Sequence, residues 1–438
     1  MRIARSGLMV IVLLILTAAQ PPTIFPLAVS GDQRLLENAE GRPLLLLGDA
    51  AWSLIAELDR QGATAYLDDR SRRGFNAILV NLVEHQFSSH PPANAFGDLP
   101  FPQQPFEALG KTYFDHAAWV IDQAFKRGML VFLVPAYLGV NGGDQGWYRE
   151  AAAAGPAQMK AYGEAVARRF AQYPNIVWVL GGDFDAPDKS LVSQMAEGIA
   201  AASPGALQTV HASRDTPGFD LWGGERWFSM DAVYTYDDVH KQILQRSRGG
   251  RRPVILLEGA YEYERDTTAR MIRRNAYGAM LGGAAGQFFG NNPVWHFSGP
   301  GVFSSDQHWR DALNSPGARS MTVLKAIFER IDWFRLQPDR DHSITDVEGS
   351  YAAAWPNHRL IAIYGDADKF QVKADVVKGP TSALWLDPAS GHAVAASTPQ
   401  LQQGVQIYQP PPDRNNVPHS DWLLLIGSPE QIGLLQKR

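Results

Sequence analysis

The sequence predicts an α/β chain: a (β/α)8 or TIM barrel followed by a small C-terminal β-sandwich. Three observations lead there. Between Leu44 and Gly290 short apolar runs alternate with amphipathic stretches, the pattern of parallel strands joined by helices. Eight such runs fit a barrel of about 250 residues plus insertions. After about Leu336 the texture changes to closely spaced strands and turns, as an antiparallel sandwich requires.

The expected barrel strands are 44–47, 77–82, 130–134, 176–180, 207–211, 232–235, 254–257 and 285–289. Helices are legible between them. Phe114, Ala117, Ile121, Ala124 and Phe125 recur at helical spacing before Gly128, a helix-ending glycine. Met159, Tyr162, Val166 and Phe170 repeat the pattern before Pro174. The connection 84–112, rich in Pro and Phe, is too long for a tight turn and is expected to wall a cleft. Past the barrel, strands are expected at 351–355, 360–364, 369–374, 383–386 and 422–426, with 409–418 a long polar loop around Pro410-Pro411-Pro412. The expected division is a leader at 1–19, a barrel at 31–335 and a sandwich at 336–438.

The leader rests on Arg2 and Arg5, the apolar run Leu8 to Leu16, and the small residues Thr17-Ala18-Ala19 before Gln20. This is the arrangement of a cleaved secretory signal, so a secreted or periplasmic protein is expected. So short a run falls well below the roughly 20 residues needed to span a bilayer, so no membrane attachment is expected after cleavage. A net charge of −5 with scattered Lys and Arg offers no basic field, which argues against a nucleic-acid partner. With Cys 0 there is no disulfide, thiolate nucleophile or zinc–thiolate site. No His-Glu-x-x-His, Gly-x-Ser-x-Gly, Walker or Gly-x-Gly-x-x-Gly motif occurs, and neither metal nor cofactor is expected. The oligomeric state is not legible.

Chemistry enters with two strands that each end in an acid: Ile176-Val177-Trp178-Val179-Leu180-Gly181-Gly182-Asp183, and Val254-Ile255-Leu256-Leu257-Glu258. In such barrels the reactive groups sit at the C-terminal ends of strands. Asp49, Glu84, Asp183 and Glu258 all qualify. Asp183 follows the fourth strand and Glu258 the seventh, so they can face each other across a sugar, as a pair of carboxyl groups must for glycoside hydrolysis. Gly181-Gly182 permits a sharp turn that leaves Asp183 unshielded. His85, Tyr137, His211, Tyr234, Tyr236, Tyr261, Asn291 and Asn292 also fall at strand ends, where they could bond sugar hydroxyls, and Trp52 and Trp295 could stack on a ring. With Asp49 these are the candidate substrate-binding residues, and an oligosaccharide or polysaccharide is the expected partner.

Several motifs then carry a resemblance. They are Gly48-Asp49-Ala50-Ala51-Trp52, Gly74-Phe75-Asn76, the Asn175 to Asp183 strand, Glu258-Gly259-Ala260-Tyr261-Glu262, Gly282-Gly283-Ala284-Ala285-Gly286 and Trp385-Leu386-Asp387-Pro388. In this order, over nearly all of the mature chain, they resemble the apiosidase-like glycoside hydrolases of glycoside hydrolase family 140, with a C-terminal domain that bears a collagen-binding label. The resemblance implies that Asp183 is the general acid/base and Glu258 the nucleophile of a retaining enzyme acting on plant polysaccharide side chains. An arabinofuranosidase or other exo-glycosidase fits the same scaffold. A non-catalytic carbohydrate- or matrix-binding protein is a third reading, against which the presence of both acids argues. Gly259 stands where the family usually has Pro, Ala50 where it has Thr, and Asn291 where a His is common. The last is expected to alter a hydrogen bond to the sugar. Glu262 is expected to orient the Glu258 motif.

Overall fold

A computed structural model describes residues 24–412 and 421–436. The expected leader, and 413–418 of the expected polar loop, lie outside the described residues. Eight parallel strands form the barrel: β1 Leu46–Ala50, β2 Ala77–Asn81, β3 Leu130–Val134, β4 Ile176–Gly181, β5 Gln208–His211, β6 Asp231–Tyr234, β7 Val254–Glu258 and β8 Gly286–Phe289. Their order is β5-β4-β3-β2-β1-β8-β7-β6. Between β5 and β6 the ring closes through a bridge from Gln208 to Phe228 and the Ser229 N–H donated to the Gln208 carbonyl at 2.8 Å. All eight expected strands occur, shifted by up to three residues at their ends. They were legible because strands covered on both faces read as unbroken apolar runs.

Apart from the short helices Leu54–Glu57 and Trp309–Ala312, one helix follows each strand: α1 Arg60–Arg72, α2 Lys111–Lys126, α3 Tyr148–Arg169, α4 Ser190–Ala202, α5 Gly218–Trp222, α6 Val239–Arg246, α7 Ala269–Leu281 and α8 Pro316–Arg330. In α2, Phe114, Ala117, Ile121 and Ala124 are buried as the spacing predicts, while Phe125 is 39% exposed at the stripe's margin. Arg127 is the C-cap, and Gly128 takes the left-handed position after it at φ +68°. Alternate strand residues face inward, where Leu79, Phe132, Val179, Leu257 and Phe288 fill the barrel. A hairpin pairing Ala28–Val29 with Leu36–Glu37 adds Leu36 to that interior beside the strand-start residues Leu46, Ala77 and Leu130, closing the floor.

The C-terminal part is a sandwich. β9 Gln337–Pro338, β10 Tyr351–Ala354, β11 Leu360–Gly365, β13 Ser382–Leu386, β14 Ala393–Ala395 and β17 Trp422–Gly427 form one antiparallel sheet, ordered β9-β10-β11-β17-β13-β14. β12 Phe370–Lys373, β15 Gln400–Gln402 and β16 Val405–Tyr408 form another, ordered β12-β16-β15. Phe370, Trp385, Tyr408 and Trp422 are buried between them. The five expected strands are present; β9, β14, β15 and β16 were not foreseen. The larger sheet lies on α7 and α8. Tyr277 of α7 stacks on Tyr364 at 4.6 Å, and Arg273 makes two 2.6 Å bonds to Asp421, which also accepts from the Tyr364 hydroxyl at 2.7 Å. A final helix, α9 Pro429–Gln436, follows β17. Among the described residues no helix is long and apolar enough to cross a membrane.

Candidate active site

At the C-terminal mouth of the barrel a cleft of about 590 Å³ is lined by Asp183 and Glu258, by the aromatic residues Trp52, Phe87, Tyr137, Tyr234, Tyr236, Tyr261, Trp295 and Phe303, and by a polar set that includes Asn81, Ser213, Arg214, Asp215, Glu264 and Arg265. The strand exits explain how the two acids reach it. Gly181, Gly182 and Asp183 have φ of +78°, +128° and +54°. A Cβ on Gly182 would stand 2.4 Å from the Tyr137 ring, and one on Gly181 would stand 2.7 Å from the His211 carbonyl. Only glycine fits either position. Asp183, a non-glycine residue in left-handed backbone, carries strain of order 1–3 kcal/mol, typical of functional positions. Glu258 ends β7 opposite Tyr234, just past a register shift between β6 and β7.

One imidazole joins the two acids. The Asp183 N–H donates to His211 Nδ1 at 2.9 Å, and His211 Nε2 lies 2.6 Å from Glu258 Oε2. Because Nδ1 accepts, the proton belongs on Nε2, where it is donated to the Glu258 carboxylate. Burial opposes protonation of His211, yet the hydrogen bond and charge of Glu258, with the charge of Asp183, raise its pKa overall. The amide aimed at Nδ1 resists the second proton, so the neutral Nε2–H form satisfies both contacts. His211 is 1% exposed and does not line the cleft; it acts through the acids.

Burial, the largest influence, pushes the Asp183 carboxyl up to about 6, and the Glu258 charge adds to it; His211 and the Tyr234 and Tyr137 hydroxyls pull the other way. Both hydroxyls donate weakly to Asp183 Oδ2, at 3.5 Å each. Among the described residues the Tyr236 hydroxyl is hydrogen-bonded to that of Tyr234, at 3.4 Å. Tyr137 and Tyr234 therefore attend Asp183 in the protein's own bonding. Trp52 donates its indole N–H to the Tyr261 hydroxyl at 2.7 Å, fixing two walls of the cleft.

Several candidates lie elsewhere. Asp49 is fully buried within β1, where Tyr66 donates to it at 2.5 Å and Arg70 at 2.7 Å, so it cannot touch a sugar. The strand runs two residues past Gly48 and turns this side chain outward to the helix layer. His85 points away, its Nδ1 2.9 Å from the Asp144 carbonyl and its Nε2 3.2 Å from Glu150. Asn291 is buried, donates to Glu262 at 3.0 Å and does not line the cleft. Asn292 is buried too, with Nδ2 donating to the Phe303 and Ser304 carbonyls and Oδ1 2.6 Å from His296 Nε2. Glu84 holds the loop after β2: one oxygen accepts the N–H groups of His85, Gln86 and Phe87 at 3.0–3.2 Å, which sets Phe87 in the cleft wall. Of the long connection, Phe87 is what reaches the cleft. Glu262 is buried and accepts from the Gly317 N–H in the first turn of α8 at 2.7 Å as well as from Asn291.

The sequence reading missed Ser213, Arg214 and Asp215 after β5, Glu264 and Arg265 after β7, and Val302 and Phe303 after β8, all in the lining. The first three lie within four residues of a strand end, and a wider window would have found them. Among the described residues no group of three or more His, Asp or Glu is placed to hold a metal.

A family model described as "Apiosidase-like, catalytic domain" matches residues 30–335. Similar solved structures include a glycoside hydrolase, 23% identical over 93% of this chain and 99% of that chain at a TM-score of 0.78. A glycoside hydrolase family 5 protein from Bacteroides vulgatus ATCC 8482 is 21% identical over 93% and 95% of the two chains, at 0.79. A glycoside hydrolase family 5 mannosidase from Rhizomucor miehei is 13% identical over 70% and 98%, at 0.52. At these identities the likeness is one of fold. No curated protein matches the chain in sequence.

Proposed function

The chain belongs to the apiosidase-like glycoside hydrolases, and from that premise we propose that it is an exported, retaining enzyme that removes sugars from plant polysaccharide side chains. Asp183 is its acid/base and Glu258 its nucleophile. The observation that carries this reading is the Asp183–His211–Glu258 array at the cleft, in which one acid is buried and raised to about 6 while the other accepts a 2.6 Å bond from a donor. Different environments for two carboxyl groups are what assigns one as acid and one as nucleophile. Both carboxyl groups line one cleft at the barrel mouth, where a retaining mechanism needs them about 5 to 5.5 Å apart.

In the first step Glu258 forms a bond to the anomeric carbon as the glycosidic C–O bond breaks, and Asp183 gives its proton to the departing oxygen. In the second, ionised Asp183 takes a proton from water, whose oxygen attacks the anomeric carbon and expels the Glu258 carboxylate. Trp52, Tyr261 and Trp295 offer apolar faces to the sugar. Export rests on the basic, apolar and small-residue succession of 1–19.

The test is a screen of wild type beside Glu258→Gln against pectic and hemicellulosic oligosaccharides and aryl furanosides, with released sugar read by chromatography and its first anomer by NMR. Release by wild type alone, with configuration kept, is the expected result. Inversion would remove the nucleophile role of Glu258, and equal rates in both proteins would remove Glu258 from the chemistry.

A further inference from the structure

Besides Asp183, Asp215 and Glu258, the cleft holds the carboxyl group of Glu264, six residues beyond Glu258 in the loop that follows β7. Its Oε1 accepts the Trp295 indole N–H at 2.9 Å. That indole is 5% exposed and held edge-on by Phe87 at 5.2 Å and Tyr261 at 6.4 Å, so the carboxyl group is anchored to a rigid wall. Its Oε2 has no hydrogen-bond partner among the described residues. The adjacent Arg265 does not pair with it; that guanidinium lies over Tyr236 at 5.8 Å and over Phe303 at 5.4 Å.

The backbone supports the placement. Tyr263 and Arg265, on either side, have φ of +69° and +51°, left-handed values that non-glycine residues seldom adopt. Two bonds fix the turn: Glu264 N–H to the Tyr261 carbonyl at 3.1 Å, and Thr267 N–H to the Glu264 carbonyl at 3.0 Å. Burial, the largest influence, and the charge of Glu258 push the Glu264 carboxyl up to about 7, an unfavourable setting that the Trp295 bond and the Arg265 charge relieve only in part. A strained turn that presents a half-satisfied acid to a binding cleft is accounted for by a ligand that completes it.

We propose that Glu264 is a specificity-determining residue whose free carboxyl oxygen accepts hydrogen bonds from ring hydroxyls of the sugar bound at Glu258. The inference rests on the glycosidase reading above. A carboxylate anchored through one oxygen is suited to this, because hydroxyl donors on the sugar edge meet the other oxygen while the aromatic walls cover the ring face. A sugar lacking the matching hydroxyl leaves Glu264 unsatisfied and is rejected, which is how buried polar groups discriminate.

The test compares wild type, Glu264→Ala and Glu264→Gln on the aryl glycoside that wild type cleaves fastest and on its mono-deoxy analogues. Loss of a charge-assisted bond lowers kcat/KM of Glu264→Ala by about 10- to 100-fold. One deoxy analogue should cost wild type a similar factor yet cost Glu264→Ala almost nothing, and Glu264→Gln should recover part of the loss. The Tm of Glu264→Ala should not fall. An active wild type whose rate is matched by Glu264→Ala, or losses that multiply independently for every analogue, overturns the proposal while leaving the glycosidase reading standing. If wild type cleaves nothing, that reading fails, and calorimetric titration with the same glycosides decides: binding that Glu264→Ala loses sustains the inference, and equal or absent binding ends it.

Discussion

Replacing His211 by Asn separates the two contacts that this ring makes. The Asn side-chain oxygen reaches about as far as Nδ1 and can still accept the Asp183 N–H, but nothing then reaches Glu258. What is lost is the 2.6 Å bond to Glu258 Oε2, made by a side chain that is 1% exposed to one that is 12% exposed. A hydrogen bond to a charged partner contributes about 1.5–3 kcal/mol, so kcat/KM should fall roughly 10- to 150-fold if Glu258 depends on that donor in the transition state. Asp183 must be protonated to act as an acid, so kcat/KM should decline as pH rises through about 6 in wild type. In His211→Asn that decline should keep its place, because the neutral ring carries no charge to act on Asp183. His211→Gln, whose amide can extend toward Glu258 while the Asp183 N–H loses its acceptor, should recover rate in part. The assay is a pH profile of kcat/KM from pH 4 to 9 on whichever glycoside the screen identifies. A His211→Asn enzyme with unchanged rate, or with its alkaline limb displaced to higher pH, refutes the role given to the ring.

Other outcomes follow from the buried acids. The folded-state pKa of Asp183 is raised from 3.8 to about 6, so its ionisation weakens the fold progressively as pH rises through that range and not below it. Asp183→Asn should therefore be inactive yet more stable than wild type at pH 8, by up to about 3 kcal/mol, with the advantage gone near pH 3, as read from denaturant melts at the two pH values. Asp49→Asn leaves the fully buried Arg70 guanidinium with Asp69, 2.9 Å away, as its remaining counter-charge and should cost up to about 3–5 kcal/mol of stability, while KM of the remaining folded enzyme stays at the wild-type value because Asp49 is outside the cleft. A raised KM with unchanged stability would return Asp49 to the substrate.

The barrel strands and both acids at β4 and β7 could be read from the sequence because each is a local signal: an apolar run, then a carboxylate at its exit. Which way a strand-end side chain points is not local. Asp49 follows the same apolar–acid pattern as Glu258, but pleating and an extra strand residue send it to Arg70 in the helix layer. His85, Asn291 and Asn292 were likewise placed by chain position, and their side chains turn to loop partners that lie far away in sequence or on neighbouring turns. His211 was found as a ligand candidate and proves to act on Glu258. Glu264 and Arg265 escaped notice because a turn with unusual backbone, not strand direction, aims them inward. In the sandwich, β15 is exposed along its whole length, so no alternation of apolar and polar residues could mark it.

The packing of the C-terminal sheet on α7 has a consequence for the size of the smallest working enzyme. α7 begins at the end of the loop that carries Glu258 and Glu264, and its outer side is covered by Tyr351 and Tyr364 and locked by Arg273 to Asp421 near the far end of the chain. Removing the last hundred or so residues would bare an aromatic surface and an unmatched guanidinium on the very helix that steadies the catalytic loop. The sandwich is a fourth wall of the enzyme, and a shortened barrel would need a redesigned outer face before it could be asked to work alone.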